Sequence, residues 1–401
     1  MHLHQQPQPH AQPRTSALKA YNFLYFSLLA VFVSFMPVYL DQKGLTPMQI
    51  GLITGTGGFV TIVAQPLWGM ISDRLRTVRK IMLLLTACSA VVGYFLYGAA
   101  SFPLLLGLAM LLYFCLMPVD PLLESLNFRT AEDRGLSYGS IRTYGAFGYA
   151  VMSLAVGYIM SGFGASSLGL TFAAVGAACL LAGFLMPDAA ASGEPVRLAS
   201  LAGFLRNRQT GLFLLLIFIS AVPQRVNDTF LGVYIGSLGG GPELLGQAWF
   251  LAAGSEIAVF ALSFWWLRRG RELLLISIAG FFYFIRFFLS AWITEPFGLV
   301  LLQLLQIVTF PVFYSAAIQY LYRIVPQEWR ATGQTVLALL FFGVSGIVAS
   351  YAGGWLFDRF GGQTMYLYMS GLSLLGLLLG LTLSRRRGER SGEDGPAAAN
   401  G

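Results

Sequence analysis

YGSIRTYGAFGY, running from Tyr138 to Tyr149, opens a segment long and apolar enough to cross a membrane, and it carries Arg142 inside that segment. A charge at bilayer depth costs ~2.5–3.5 kcal/mol on insertion scales, so it must face a partner or water. Eighteen residues upstream, near the end of the preceding apolar segment, stands Glu124. Antiparallel helices joined by a short polar loop bring such residues together inside a protein. The stretch therefore predicts an all-α membrane protein with a charged interior.

The rest of the chain agrees. Of 401 residues, 56% are apolar and 11% charged, where soluble domains carry about 25% charged residues. Turn and charge clusters divide the apolar sequence into twelve segments: 19–40, 48–71, 80–100, 103–126, 138–162, 166–186, 210–236, 243–267, 272–293, 296–322, 332–357 and 365–384. Each approaches or exceeds the ~20 residues that span a hydrocarbon core, the longer ones by tilting. Placing both termini and the loops after even-numbered segments in the cytoplasm puts 20 of the 25 lysines and arginines inside. Only Lys43 and Arg359 fall outside, while Arg142, Arg225 and Arg286 fall within spans. This bias supports twelve crossings with cytoplasmic ends. It also accounts for the net charge of +7 without invoking nucleic acid.

Residues 1–16 lack an apolar core and a cleavage site and read as a disordered tail. The longest polar interruption, 187–209, divides the chain near its middle and is the expected cytoplasmic linker between membrane units 17–186 and 210–384. Residues 385–401 form a basic, then disordered, cytoplasmic tail. AVGYIMSGFG at the end of the fifth segment echoes AGGWLFDRFG at the end of the eleventh, as in transporters built from paired bundles. Cys88, Cys115 and Cys179 stand singly inside apolar spans, so no disulfide, metal or cofactor framework is expected. All three histidines, His2, His4 and His10, lie in the tail, which leaves none to relay protons in the membrane.

The intramembrane charges are the candidate site. Asp120 and Glu124 are four residues apart and share a helix face. Pro118 and Pro121 flank Asp120 and predict a kink whose freed carbonyls need other donors. Beyond Arg142, Gly145 and Gly148 allow close approach of a neighbour, and Tyr149 lies two turns further on. In the second half, Arg225 and Asp228 are spaced for an intrahelical ion pair, with a purely structural role weighing evenly against a functional one. Glu256 and Arg286 each stand alone in apolar runs, and Gln303 and Gln306 share the tenth segment.

Taken together, QPLWGMISDR closing the second segment, YGSIRTYGAFGY with Glu124 before it, GSEIAVFALS around Glu256, Arg286 thirty residues later, and LLQLLQIVTF resemble the lactose-permease-like branch of the major facilitator superfamily, especially the relatives of the phenylpropionate permease. The resemblance covers nearly the whole membrane region. It implies twelve transmembrane helices in two pseudo-symmetric six-helix bundles. It also implies a solute site at Glu124, Arg142, Tyr149, Glu256, Arg286 and Gln306, and a gating loop at Gly69, Asp73 and Arg74. Two departures matter. Arg76 stands where the loop pattern has a glycine, and Gln306 and Thr309 replace the lactose permease's histidine and glutamate, so a sugar substrate is not implied.

The expected function is secondary transport of a small polar or anionic organic solute in a bacterial cytoplasmic membrane, with no enzymatic activity and each monomer enclosing a pathway. Proton symport is expected, with Glu256 as first carrier and Glu124 and Asp120 behind it. Proton-coupled efflux is the competitor within transport. A receptor or scaffold is the competitor outside it, disfavoured because costly charges occupy both halves. No nucleophile–base pair or nucleotide loop points to an enzyme.

Overall fold

A computed structural model describes residues 15–186, 208–267 and 270–393. Most of the N-terminal tail (1–14), most of the expected linker (187–207), Arg268, Arg269 and the last residues (394–401) lie outside the described residues. Among the described residues there is no strand.

The long helices are α1 (Thr15–Gln42), α2 (Pro47–Leu75), α3 (Val78–Gly98), α4 (Phe102–Arg134), α5 (Gly139–Phe163), α6 (Ser167–Phe184), α7 (Arg208–Ser237), α8 (Pro242–Ala261), α9 (Glu272–Trp292) and α10 (Pro296–Ile324). A 54-residue apolar stretch, Thr332–Arg385, follows. At 1.5 Å per residue its length would be about 81 Å, more than twice a hydrocarbon core. Gly361, at φ 81° and ψ 165°, breaks it, giving α11 (332–360) and α12 (362–385). Among the described residues, ten helices are long and apolar enough to cross a membrane, with the stretch around Gly361 counted once and α8 not included.

Local chemistry sets several ends. Thr46 caps α2 by accepting from the Gln49 amide while Gln49 returns a bond to the Thr46 N–H, and Pro47 takes the first helical position, where its missing donor costs nothing. At the other end Arg76 adopts φ 51°, ψ 37°, its N–H closing on Asp73 and Ser72. That is the left-handed cap glycine normally fills, which explains why a glycine suits this position of the loop pattern. Gly69 does not pack closely here: a Cβ built on it meets nothing within 4 Å. Among the described residues nothing packs against Gly69 closely enough to require a glycine there.

Where the first and second halves of the chain meet, two pairs of helices approach backbone to backbone at glycines. On α5 and α8, a Cβ at Gly157 would lie 2.8 Å from the Pro242 carbonyl and 3.0 Å from Gly246 Cα. On α11 and α2, a Cβ at Gly354 would lie 2.6 Å from the Pro47 carbonyl and 3.2 Å from Gly51 Cα. Gly157 and Gly354 hold matching places in the AVGYIMSGFG and AGGWLFDRFG echoes. The repeated sequence thus supplies the same backbone contact twice, at the same end of the molecule. Beside these contacts Gln247 donates to the Tyr158 hydroxyl at 3.0 Å, and Thr56 and Tyr351 share a hydrogen bond at 2.9 Å.

Candidate functional site

In the first half, α4 breaks between Leu116 and Val119, at Pro118. The Asp120 N–H closes on Met117 instead of Leu116. Tyr25 of α1 donates to the released Leu116 carbonyl at 3.2 Å, and Gln65 of α2 to Met117 at 3.4 Å. The proline pair thereby turns the second part of α4 so that Asp120 and Glu124 face α5.

Arg142 Nε lies 2.5 Å from Glu124 Oε1, and the Tyr138 hydroxyl donates to Glu124 Oε2. The guanidinium stacks 4.1 Å from the centre of the Phe26 ring. Only Nε is used, so both Nη groups keep donors without a partner among the described residues. The pair is partly open, with 32% of the Arg142 side chain and 23% of Glu124 exposed. Asp120 Oδ1 is buried without a hydrogen-bond partner among the described residues. Behind the pair, Asn22 and Asn127 exchange amide hydrogen bonds at 2.8 and 2.9 Å, and Gly148 lets the α1 backbone at Phe23 approach α5.

Tyr149 joins the halves. Its hydroxyl meets Ser34 Oγ at 2.6 Å, on the π turn Ala30–Ser34 that interrupts α1. Its ring lies edge-on to Trp249 of α8, with centroids 6.5 Å apart. It is also within electrostatic reach of Arg225, Asp228 and Glu256, as Glu256 is of Arg142.

The second half is built differently. Arg286 is 1% exposed, and α10 explains what holds it. Residues Gln303–Val308 form a 3₁₀ segment that ends at Thr309 with φ −102° and ψ −99°. Side chains three apart eclipse in a 3₁₀ helix, so Gln303, Gln306 and Thr309 stack on one face. All three meet Arg286: Gln303 and Gln306 accept from its Nη groups through Oε1, and Thr309 Oγ1 lies 3.5 Å from Nη1. Gln224 of α7 adds a fourth acceptor at 3.4 Å.

Among the described residues no carboxylate pairs directly with Arg286. Gln306 Nε2 donates to Glu256 Oε1 at 2.8 Å, and Gln224 Nε2 donates to Asp228 Oδ1 at 2.7 Å. Arginine can only donate and an ionised carboxylate can only accept, so each intervening amide has one permitted orientation. The result is a hydrogen-bonded chain with fixed polarity: Glu256, Gln306, Arg286, Gln224, Asp228. Arg225 Nη1 extends it by donating to Asp228 Oδ2 at 2.7 Å.

The structure therefore brings Glu124 to Arg142, and Glu256 to Gln306 and Arg286, with Tyr149 against Trp249 where α5 meets α8. It separates Arg286 and Gln306 from any open surface, each being at most 2% exposed. Gln224 was hidden from sequence reasoning inside PQRVND; its signal is the four-residue spacing to Asp228 on one helix face. A groove of about 400 Å³ lined by Ser16, Lys19, Ala20, Phe23, Leu24 and Tyr144 lies between α1 and α5 and contains none of these charged pairs.

The MFS_1 like family matches residues 15–368. A maltose permease of Geobacillus stearothermophilus is 27% identical over 379 residues, spanning 94% of this chain and 96% of that protein. A probable 3-phenylpropionic acid transporter of Escherichia coli K12 is 28% identical over 313 residues, spanning 75% of this chain and 80% of that one. The crystal structure of the nucleoside transporter NupG superposes with a TM-score of 0.82 over 92% of this chain and 98% of that chain, at 17% identity, a likeness of fold. With the family match running through nearly the whole membrane region, the chain belongs to the MFS_1 like family: it is an integral membrane transporter of the major facilitator type and not an enzyme.

Proposed function

We propose that the protein carries a small polar or anionic organic solute across a bacterial cytoplasmic membrane by alternating access, in symport with protons. Dividing the long stretch at Gly361 and admitting α8 gives twelve crossings, which with the basic loops put both termini in the cytoplasm. Residues 17–186 and 210–384 are then two six-helix units joined by a cytoplasmic linker over 187–209, rocking about the central site. Each monomer contains a full pathway.

The observation that carries this reading is the partly exposed Glu124–Arg142 pair on α4 and α5, with the Glu256 network on the facing α8 and Tyr149 packed on Trp249 where α5 and α8 meet. Charges at this depth persist where they face a cavity and a ligand. Arg142 offers unused guanidinium donors, Glu124 an acceptor beside them, and Tyr149 an aromatic wall. Glu256 is the first proton carrier because it accepts its hydrogen bond from the neutral amide of Gln306, not from a guanidinium. It can lose or gain a proton without breaking an ion pair. Asp120 and Glu124 follow. The Gly69–Asp73–Arg74 loop is assigned to gating between α2 and α3.

Solute-induced proton movement in proteoliposomes tests this, with maltose, uridine and 3-phenylpropionate added to wild type and Glu256→Gln. Inward proton flux with one solute, lost in the variant, is expected. Flux that persists moves the proton site to Asp120 or Glu124. Proton movement opposite to the solute identifies antiport, and binding without flux rejects coupling.

A further inference from the structure

We propose that Arg225, and not Arg286, is the second solute-binding arginine of the central site, and that the solute is neutral with hydroxyl or amide groups at both ends. This rests on the transport reading above.

Exposure separates the three intramembrane arginines. The Arg225 side chain is 26% exposed, close to the 32% of Arg142, whereas Arg286 is 1% exposed. Hydrogen bonding separates them in the same way. Arg225 uses only Nη1, on Asp228, leaving Nη2 and Nε without a partner among the described residues. Arg286 has spent both Nη groups on Gln303, Gln306, Gln224 and Thr309, and Nε, which has no partner among the described residues, is buried. For Arg286 to take a solute, charge-assisted bonds inside a buried cage must first break, and such bonds are about twice as strong as neutral ones.

Arg225 is also placed between the halves. Its guanidinium lies 5.7 Å from the Phe342 ring of α11, and Tyr113 of α4 and Tyr149 of α5 are within its electrostatic reach. Gly346 leaves open the wall beside it, since even a Cβ there would stay 3.7 Å from Arg225 Nε. An aromatic ring and a carboxylate hold Arg225 as Phe26 and Glu124 hold Arg142.

Charge narrows the solute. Each exposed arginine already has its own carboxylate, and Glu256 and Asp120 outnumber the one remaining arginine, Arg286. A second anion at either end would meet a site already balanced or acidic. A hydroxyl or amide both accepts from the guanidinium and donates to the neighbouring carboxylate. Two such pairs on opposite halves fit a solute with such groups at both ends.

The test labels the purified full-length protein with phenylglyoxal, an arginine reagent, and reads each arginine by peptide mass spectrometry. Arg142 and Arg225 are expected to react and Arg286 to resist. At about ten times its dissociation constant, maltose or uridine slows labelling of both arginines together by about tenfold, and 3-phenylpropionate does not. Unreactive Arg225, reactive Arg286, protection of Arg142 alone, better protection by 3-phenylpropionate, or protection by none of the three each overturns the proposal. Arg225→Gln combined with Asp228→Asn removes the pair without leaving a lone buried charge. The protecting solute is expected to bind this variant at least about tenfold more weakly, as loss of a hydrogen bond to a charged group implies, at an unchanged melting temperature. Unchanged affinity refutes the assignment. Proton-linked uptake in vesicles that survives the double substitution also refutes it, while leaving the transport reading intact.

Discussion

The two glycine contacts between halves make the sharpest mechanical prediction. A Cβ at Gly51 would sit 2.2 Å from the Ser350 carbonyl, where ordinary contact begins at 3.4 Å. In Gly51→Ala, α2 and α11 must therefore separate by about 1.2 Å, the difference of those distances. The obstacle is backbone and cannot rotate away. Overpacking of this kind costs about 1–3 kcal/mol, and the strain falls only on the conformation in which the contact is closed. The closed population should drop roughly 5- to 150-fold relative to the open one. Helix propensity works the other way, alanine being better than glycine by about 1 kcal/mol, so opening is distinguishable from unfolding. Spin labels at Lys43→Cys, in the turn before α2, and Gln363→Cys, at the start of α12, report the separation by pulsed electron resonance. A growing long-distance population at an unchanged or higher melting temperature is expected. Gly157→Ala should act likewise on α5 and α8, and Gly69→Ala, which meets nothing within 4 Å, should do nothing. An unaltered distance distribution in Gly51→Ala refutes the reasoning.

Gln306→Leu removes an acceptor from Arg286 and a donor from Glu256 in one step; at about 1.5–3 kcal/mol for each charge-assisted bond, a clear fall in melting temperature is expected, and near-wild-type melting shows that the amide carries no such load. Arg76→Gly relieves a left-handed backbone that costs a side chain about 1–2 kcal/mol, so thermal unfolding should shift upward; a downward shift means the Arg76 side chain makes up more than that strain.

The helical class and the approximate segments were legible because apolar length and loop charge act through composition, which needs no tertiary information. Glu124 and Arg142 could be paired from the sequence because they flank one short loop, so chain connectivity alone limits their separation. The proline pair in α4 announced freed carbonyls, and Tyr25 and Gln65 are the donors that meet them. The surroundings of Arg286 were not legible. Its acceptors come from α7 and α10, remote in sequence, and their alignment depends on a 3₁₀ segment that apolar periodicity does not signal. Gly69 shows the same limit: a glycine before a charged loop suits crossing helices, but only the fold says whether one packs there. In contrast, Gly157 and Gly354 were visible as an echo without a reason until their partners on α8 and α2 were in place.

The 3₁₀ segment of α10 acts as a screw thread. Gln303, Gln306 and Thr309 line up on Arg286 only at three residues per turn. Rewinding those six steps as ordinary α-helix turns Thr309 by about 120° relative to Gln303 and shortens the segment by about 3 Å. Pitch, axial length and the grip on a buried charge are thus one variable. A push that shortens α10 loosens Arg286, and through Gln306 it is felt at Glu256.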